Sequence, residues 1–368
     1  MGKRLGVSED YLATGAERSE EAATLVQAEL ALRLDEVDEA TELYGAALES
    51  SDTPEERARA LAGLGQVAFR RGDPRAAIGR IEEARATSRD RLADQPAAAD
   101  TLGRAYAMVD ELEASIAVFT ESLAAAEDRG DKVESARFAV LLANAHIDAL
   151  SFDQAERLLE RALELAPDSR DPILRARLYW SQSRLYTLQK RPDQAASYAR
   201  RALHILEATE HTEYTARAHQ LLAHIEVDRK RPEQALESVR RGLELLGEQG
   251  SQVDRALLVL EEARALVQVD EPQKAASLAL EAVGLLKDAS PHDAGRGYAL
   301  VAEVYEQLGD REKALELYEL AAERLEAQPG RYLVDVYSKL ARLLEDSGQK
   351  DEALEVLKRA VAARSPTP

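Results

Sequence analysis

Residues 302–321 read AEVYEQLGDREKALELYELA, and this stretch decides the fold because its small residues recur along the chain. Ala302 lies 12 residues before Ala314, and Ala321 lies seven residues after it. Residues equivalent to Ala314, the anchors, recur every 37 to 40 residues: Ala40, Ala77, Ser115, Ala155, Ala195, Ala235, Ala275, Ala314 and Ala353. The residue 12 before and the residue seven after each anchor are also small, which places 27 small residues in one register. Self-similarity at a fixed period predicts nine copies of one structural unit.

Each copy is predicted to be a pair of antiparallel helices, since helices approach closely only where the facing side chains are small. Proline stands three residues before four anchors, where it suits the first turn of a second helix. These prolines are Pro74, Pro192, Pro232 and Pro272. Glycine stands five residues before three anchors, at Gly72, Gly309 and Gly348, where a first helix would end in a left-handed cap. The pattern predicts an all-α fold without strands.

Composition excludes several classes of protein. Asp and Glu total 68 against 48 Lys and Arg, and a net charge of -20 disfavours binding to a nucleic-acid backbone. The absence of cysteine excludes disulfides and thiolate metal sites. No signal peptide and no membrane span are predicted, so we expect a cytoplasmic protein.

The segments Tyr305–Asp310 and Thr101–Tyr106 resemble the tetratricopeptide (TPR) consensus. The resemblance covers residues 20–362 and implies an α-α superhelix, a TPR solenoid of about nine repeats within an array spanning 17–368. The period near 40 is longer than the usual 34 of this family, which predicts longer helices.

Residues 1–16 lie outside the repeat and are interpreted as a separate element. The run Leu5–Gly15 resembles the closing segment of lambda-repressor/Cro-type helix-turn-helix domains, with Gly6 as a helix cap and Ser8 as an N-cap. The alternative is a plain helical lead-in to the array. The DNA-reading helix of such domains would precede this segment, so the resemblance implies DNA binding only through an upstream domain missing from this chain.

A ligand site is expected on the concave face, which the first helices of a TPR array line. We expect the residues 18, 15, 11, eight and seven before each anchor to face this groove, including Val140, Ile147 and Val227. Across repeats three to seven these positions hold six arginines, among them Arg104 and Arg264, against Asp100, Asp148 and Asp228. The predicted peptide-binding residues are Arg137, Asn144, Arg177, Trp180, Arg184, Arg217, Gln220 and His224. Arg side chains would hold carboxylates, amides would pair with peptide backbone, and Trp180 would anchor an apolar side chain.

The alternative for these arginines is that they pair with acids on neighbouring helices. The family's carboxylate clamp is not reproduced, since Val140 and Leu221 stand where it needs polar groups. The pair Glu261–Glu262 is interpreted as a solvated face, and His219 and His224 lie five apart, which disfavours a metal pair. The motif GLGQVA at 63–68 matches a dinucleotide fingerprint but lies within a predicted helix.

The sequence therefore predicts a protein that binds a peptide or protein, without catalysis, cofactor or metal. Regulators that join this helix-turn-helix to TPR arrays imply a sensor and dimerisation module, with a homodimer as one expectation. The alternative is a free-standing TPR scaffold or adaptor with no DNA role.

Overall fold

The computed structural model describes residues 20–88, 92–165, 171–209, 211–248, 250–326 and 330–364. These residues form 18 α-helices and one short 3₁₀ turn, Leu92–Asp94, and contain no strand. The predicted all-α class and the TPR-type arrangement of helix pairs are confirmed. Residues 1–16, interpreted as a helix-turn-helix remnant, lie outside the described residues.

The chain forms two compact units, Met1–Asp148 and Ala149–Pro368. The boundary falls between the two helices of the fourth repeat. The first unit contains α1 Glu20–Arg33, α2 Val37–Ser50, α3 Pro54–Arg70, α4 Pro74–Thr87, α5 Pro96–Met108, α6 Leu112–Asp128 and α7 Lys132–Asp148. The second unit contains α8 Phe152–Leu165, α9 Pro172–Leu188, α10 Pro192–Leu206, α11 Thr212–Asp228, α12 Pro232–Leu246, α13 Gln252–Gln268, α14 Pro272–Leu285, α15 Pro291–Gln307, α16 Arg311–Leu325, α17 Arg331–Asp346 and α18 Lys350–Arg364.

Helix ends follow the local sequence. Pro74, Pro192, Pro232 and Pro272 each open a second helix, as predicted. Thr53 caps α3 through a capping box with Glu56, in which each side chain bonds the other residue's backbone amide. Asp310 caps α16 by accepting a hydrogen bond from the Lys313 amide at 3.2 Å. Local signals thus set where these helices begin.

The core of each unit is built on the small residues. All 27 residues of the predicted register are buried. At Gly65 a Cβ atom would lie 2.5 Å from Ile81 Cγ1 and 3.1 Å from the Ala77 carbonyl oxygen, so α3 and α4 approach closely there. Gly65 is also the third residue of the GLGQVA motif, and this close approach of α3 and α4 makes it a packing residue.

One buried position departs from the pattern of the repeat. Nine residues before the anchor, Tyr186 and Tyr305 are buried aromatic side chains, whereas the sixth repeat has Glu226, which is 0% exposed. Arg229 bonds both oxygens of Glu226 at 3.0 Å, and Arg200 is a further hydrogen-bond donor to it. The buried carboxylate is therefore fully paired, as a buried charge must be.

Candidate functional site

The candidate site lies on the first helices of the second unit, and its exposed part is on α9. Arg177 is exposed and contacts Tyr214 of α11. Its guanidinium carbon lies 5.8 Å from the centroid of the Tyr214 ring, and its Nη2 lies 3.5 Å from the hydroxyl oxygen. Trp180 and Arg184 are half-buried on the same helix, with Trp180 packed beside a cluster that includes Leu222. Among the residues that the structure describes, no carboxylate pairs with Arg177.

Arg217 occupies the position in α11 that Arg177 occupies in α9, but its surroundings differ. Its Nε and Nη2 atoms lie 2.9 and 2.8 Å from Asp254 Oδ2 of α13. Asp254 is 9% exposed, and its hydrogen bond raises the pKa of Arg217 above the ordinary arginine value. The charge of Arg217 is therefore matched within the chain.

Gln220 and His224 also face α13, where Glu261 receives both side chains. Gln220 Nε2 donates to Glu261 Oε1 at 3.4 Å, and His224 Nδ1 lies 2.9 Å from the same oxygen. Arg264 Nη1 donates to the other oxygen at 2.5 Å, and its Nη2 reaches Asp228 Oδ1 at 2.9 Å. These five side chains form one polar network between α11 and α13.

Charge within the network sets its protonation. Burial alone would lower the pKa of His224, but the charge and hydrogen bond of Glu261 outweigh it and raise that pKa. Burial alone would raise the pKa of Glu261, whereas His224 and Arg264 hold it below the ordinary value. Glu261 thus stays ionised although it is only 2% exposed.

Arg137 and Asn144 belong to α7 in the first unit. Arg137 Nη2 bonds Asp100 Oδ2 at 2.9 Å and the Pro96 carbonyl oxygen at 3.3 Å, while Nη1 lies 3.3 Å from Glu134. Asn144 is half-buried. Arg137 therefore has carboxylate partners from both its own and the preceding first helix.

The structure corrects two expectations about the first-helix face. Val140, Ile147 and Val227 are at most 4% exposed, so these three apolar side chains are buried instead of facing the groove. The interpretation of Glu261–Glu262 as a solvated face is wrong, since Glu261 is buried in the polar network and Glu262 is half-buried.

The first-helix face also carries more acidic side chains than the sequence positions indicated. Asp254, Glu261 and Glu134 join the three aspartates named from the sequence, so the arginines meet more acids than expected. Asp254 and Glu261 were missed because they lie 21 and 14 residues before their anchor, outside the positions assigned to the groove. The sequence signal that could have found them is a common spacing: Asp254 lies 37 residues after Arg217, and Glu261 lies 37 residues after His224.

Helix spacing differs along this face. The first helices α11 and α13 lie close together, as do α13 and α15, whereas α9 and α11 approach each other less closely. The face is therefore more open at α9, where Arg177 lacks the carboxylate pairing of Arg217 among the described residues. The described residues contain no group of three or more His, Asp or Glu side chains that could hold a metal ion. Within the same residues, no helix combines the length and the apolar character needed to cross a membrane.

The sequence model of the MalT-like TPR region matches residues 58–366, which is most of the chain. The chain belongs to the MalT-like TPR family. TPR arrays offer extended surfaces on their first helices, which is where Arg177 and Trp180 lie. No curated relative matches this TPR protein.

Three solved structures with similar folds cover between 73% and 98% of this chain. The apo quorum sensor NprR from B. thuringiensis is 12% identical, with a TM-score of 0.60 over 98% of this chain and 90% of that one. A Rap protein complexed with Competence and Sporulation Factor is 15% identical, with a TM-score of 0.57 over 93% and 91%. The apo form of RapI is 17% identical, with a TM-score of 0.60 over 73% and 98%. At these identities the likeness shows the fold alone.

Proposed function

We propose that this TPR protein binds a peptide or a protein segment on the surface formed by Arg177, Trp180, Arg184 and Tyr214. The main support is the contrast between two equivalent arginines. Among the described residues Arg177 is exposed near Trp180 and has no carboxylate partner, whereas Arg217 is paired with Asp254. Arg and Trp are the residues that most often dominate binding energy in protein interfaces. The Rap and NprR structures share this fold. The Rap protein is complexed with Competence and Sporulation Factor and NprR is a quorum sensor, which supports a binding role for this fold.

The chemistry of this surface favours an acidic or amphipathic partner. The guanidinium of Arg177 can form two parallel hydrogen bonds with a carboxylate, and the half-buried indole of Trp180 can contact an apolar side chain. Because an exposed ion pair is screened by salt, the affinity should fall as ionic strength rises.

The test starts from a synthetic heptapeptide array probed with the full chain. Trp180 is the only tryptophan, so its fluorescence emission reports occupancy of the surface directly. Trp180→Ala, read by anisotropy of a labelled peptide, and Arg184→Glu should each weaken the affinity by about 1 kcal/mol or more with helicity retained.

A matched pair of variants separates the site from general charge. Arg177→Gln should weaken the affinity by about 1 kcal/mol or more, whereas Arg175→Gln should not. Arg175 is also exposed on α9 but lies two residues away, about 200° around the helix.

A further variant closes the site without removing the arginine. Tyr214 stands 21 residues before its anchor, as Asp254 does, so Tyr214→Asp should pair with Arg177 and abolish its use by a ligand. Equal binding by wild type, Arg177→Gln and Tyr214→Asp would refute this location.

A second, more specific role rests on Leu5–Gly15, whose likeness to a helix-turn-helix closing segment supports the sensor and dimerisation part of a transcriptional regulator. The alternative is a free-standing scaffold or adaptor for protein interactions. Reading the genomic DNA upstream of Met1 for an in-frame helix-turn-helix separates them, and light scattering tests the homodimer. An upstream frame without such a domain would contradict the regulator.

A further inference from the structure

The turn inside each repeat has an unusual backbone conformation that two lysines adopt. The residue five before every anchor has a positive φ, in all nine repeats. It is Gly72, Gly309 or Gly348 in three repeats, and Lys190 and Lys230 take φ values of 57° and 58° in the fifth and sixth. A left-handed conformation is disfavoured for lysine because its Cβ approaches the following carbonyl. Asp35, Asp110, Leu150 and Asp270 adopt the same conformation in the other four repeats, so the turn does not itself require lysine.

The two lysines lie in matching surroundings. The segments 190–195, KRPDQA, and 230–235, KRPEQA, are nearly identical and 40 residues apart. Both lysines are exposed, and neither forms an ion pair among the residues that the structure describes. Two ammonium groups thus stand at equivalent points of adjacent repeats in a chain of net charge -20.

A cavity of about 340 Å³ lies between these turns. It is lined by Thr187, Lys190, Pro192, Ile225, Asp228 and Lys230. It lies where α9 and α11 approach less closely than the first helices that follow. The one carboxylate in its lining, Asp228, already accepts a hydrogen bond from Arg264 at 2.9 Å. The lysines therefore have no anion of their own in the cavity.

We propose that this cavity is a subsite for a side-chain carboxylate of the bound peptide, held between Lys190 and Lys230. The inference rests on the proposed peptide-binding function and extends it from the middle of α9 to the helix end. Because Asp228 is already paired with Arg264, the two ammonium groups are the charges that a ligand meets, and the two oxygens of one carboxylate can accept a hydrogen bond from each.

Distances along α9 fix where the carboxylate would stand in the peptide. Arg177 and Lys190 are 13 residues apart, which corresponds to about 20 Å along a helix axis. An extended peptide covers that distance in about six residues. A heptapeptide is therefore long enough to contact Arg177 at one end and the cavity at the other.

The experiment uses the full chain and an array of heptapeptides that are acetylated and amidated, so that every carboxylate belongs to a side chain. The wild type should select Asp or Glu at one terminal position. Changing that residue to Asn or Gln should weaken binding about tenfold, the effect of one charge-assisted hydrogen bond. Lys190→Gln/Lys230→Gln should bind acid and amide peptides equally. The control Lys132→Gln/Lys287→Gln removes the same charge from two other exposed lysines and should keep the tenfold preference.

A second double variant separates the subsite from folding. Lys190→Gly/Lys230→Gly removes both ammonium groups and relieves the left-handed backbone, so its melting temperature should not fall. It should nevertheless lose the acid preference.

The outcomes are distinct. An acid preference that survives in both lysine variants overturns the subsite while peptide binding stands. Failure of the wild type to bind any heptapeptide overturns the peptide-binding function, and this inference with it. Displacement of peptides by inorganic phosphate at constant ionic strength, dependent on Lys190 and Lys230, assigns the cavity to free phosphate and overturns the carboxylate.

Discussion

Replacing glycine by alanine at Gly65 and at Gly79 tests whether close approach of helices determines this fold. Both residues lie within helices of the second repeat, Gly65 in α3 and Gly79 in α4. A Cβ at Gly65 would lie 2.5 Å from Ile81 Cγ1 and 3.1 Å from the Ala77 carbonyl oxygen, whereas a Cβ at Gly79 meets nothing within 4 Å. The chemical change is the same, and only the packing differs.

The two substitutions should have opposite effects on the free energy of unfolding. Alanine stabilises a helix by about 1 kcal/mol relative to glycine, so Gly79→Ala should raise the free energy of unfolding by about that amount. At Gly65 the same gain is opposed by overpacking, which costs about 1–3 kcal/mol because the Ala77 backbone cannot yield as a side chain can. The difference between the two variants should therefore be about 1–3 kcal/mol in favour of Gly79→Ala.

Urea unfolding followed by far-UV circular dichroism measures this difference. If Gly65→Ala were as stable as Gly79→Ala, close approach at the small residues would not be the determinant that we infer.

Four further outcomes are expected. Ala235→Leu should overpack the crossing of α11 and α12 and lower the free energy of unfolding by about 1–3 kcal/mol, so an unchanged melting curve would contradict the register. Arg217→Gln should cost about 1–3 kcal/mol because Asp254 is left buried and unpaired, and a cost no larger than that of Arg177→Gln would count against the pairing. Since Glu261 raises the folded-state pKa of His224 above the ordinary histidine value of 6.5, the stabilisation from this pair is fully present below about pH 6.5 and is lost as pH rises through the folded pKa. His224→Gln should remove that part of the pH dependence in urea titrations at several pH values, and an identical profile would refute it. The chain alone should not bind DNA selectively, and a sequence-specific gel shift at physiological salt would disprove this.

The sequence by itself determined the repeat, the helix pairs and the turns. Small residues at fixed intervals and prolines three before an anchor are local requirements, so Ala195 and Pro192 could be placed without a structure. The left-handed caps followed equally from glycine at three turns, and the structure extends that conformation to Lys190 and Lys230.

Only the tertiary structure decided which first-helix arginines are used internally. Arg217 and His224 meet acids 37 residues later in the chain, three residues short of the repeat period of 40. That offset depends on the tilt and shift between stacked helices, which no single repeat encodes. At the same offset from Arg177 stands Tyr214, which is not an acid. Among the described residues Arg177 therefore lacks the carboxylate partner that Arg217 has, although both hold the same position in their repeats.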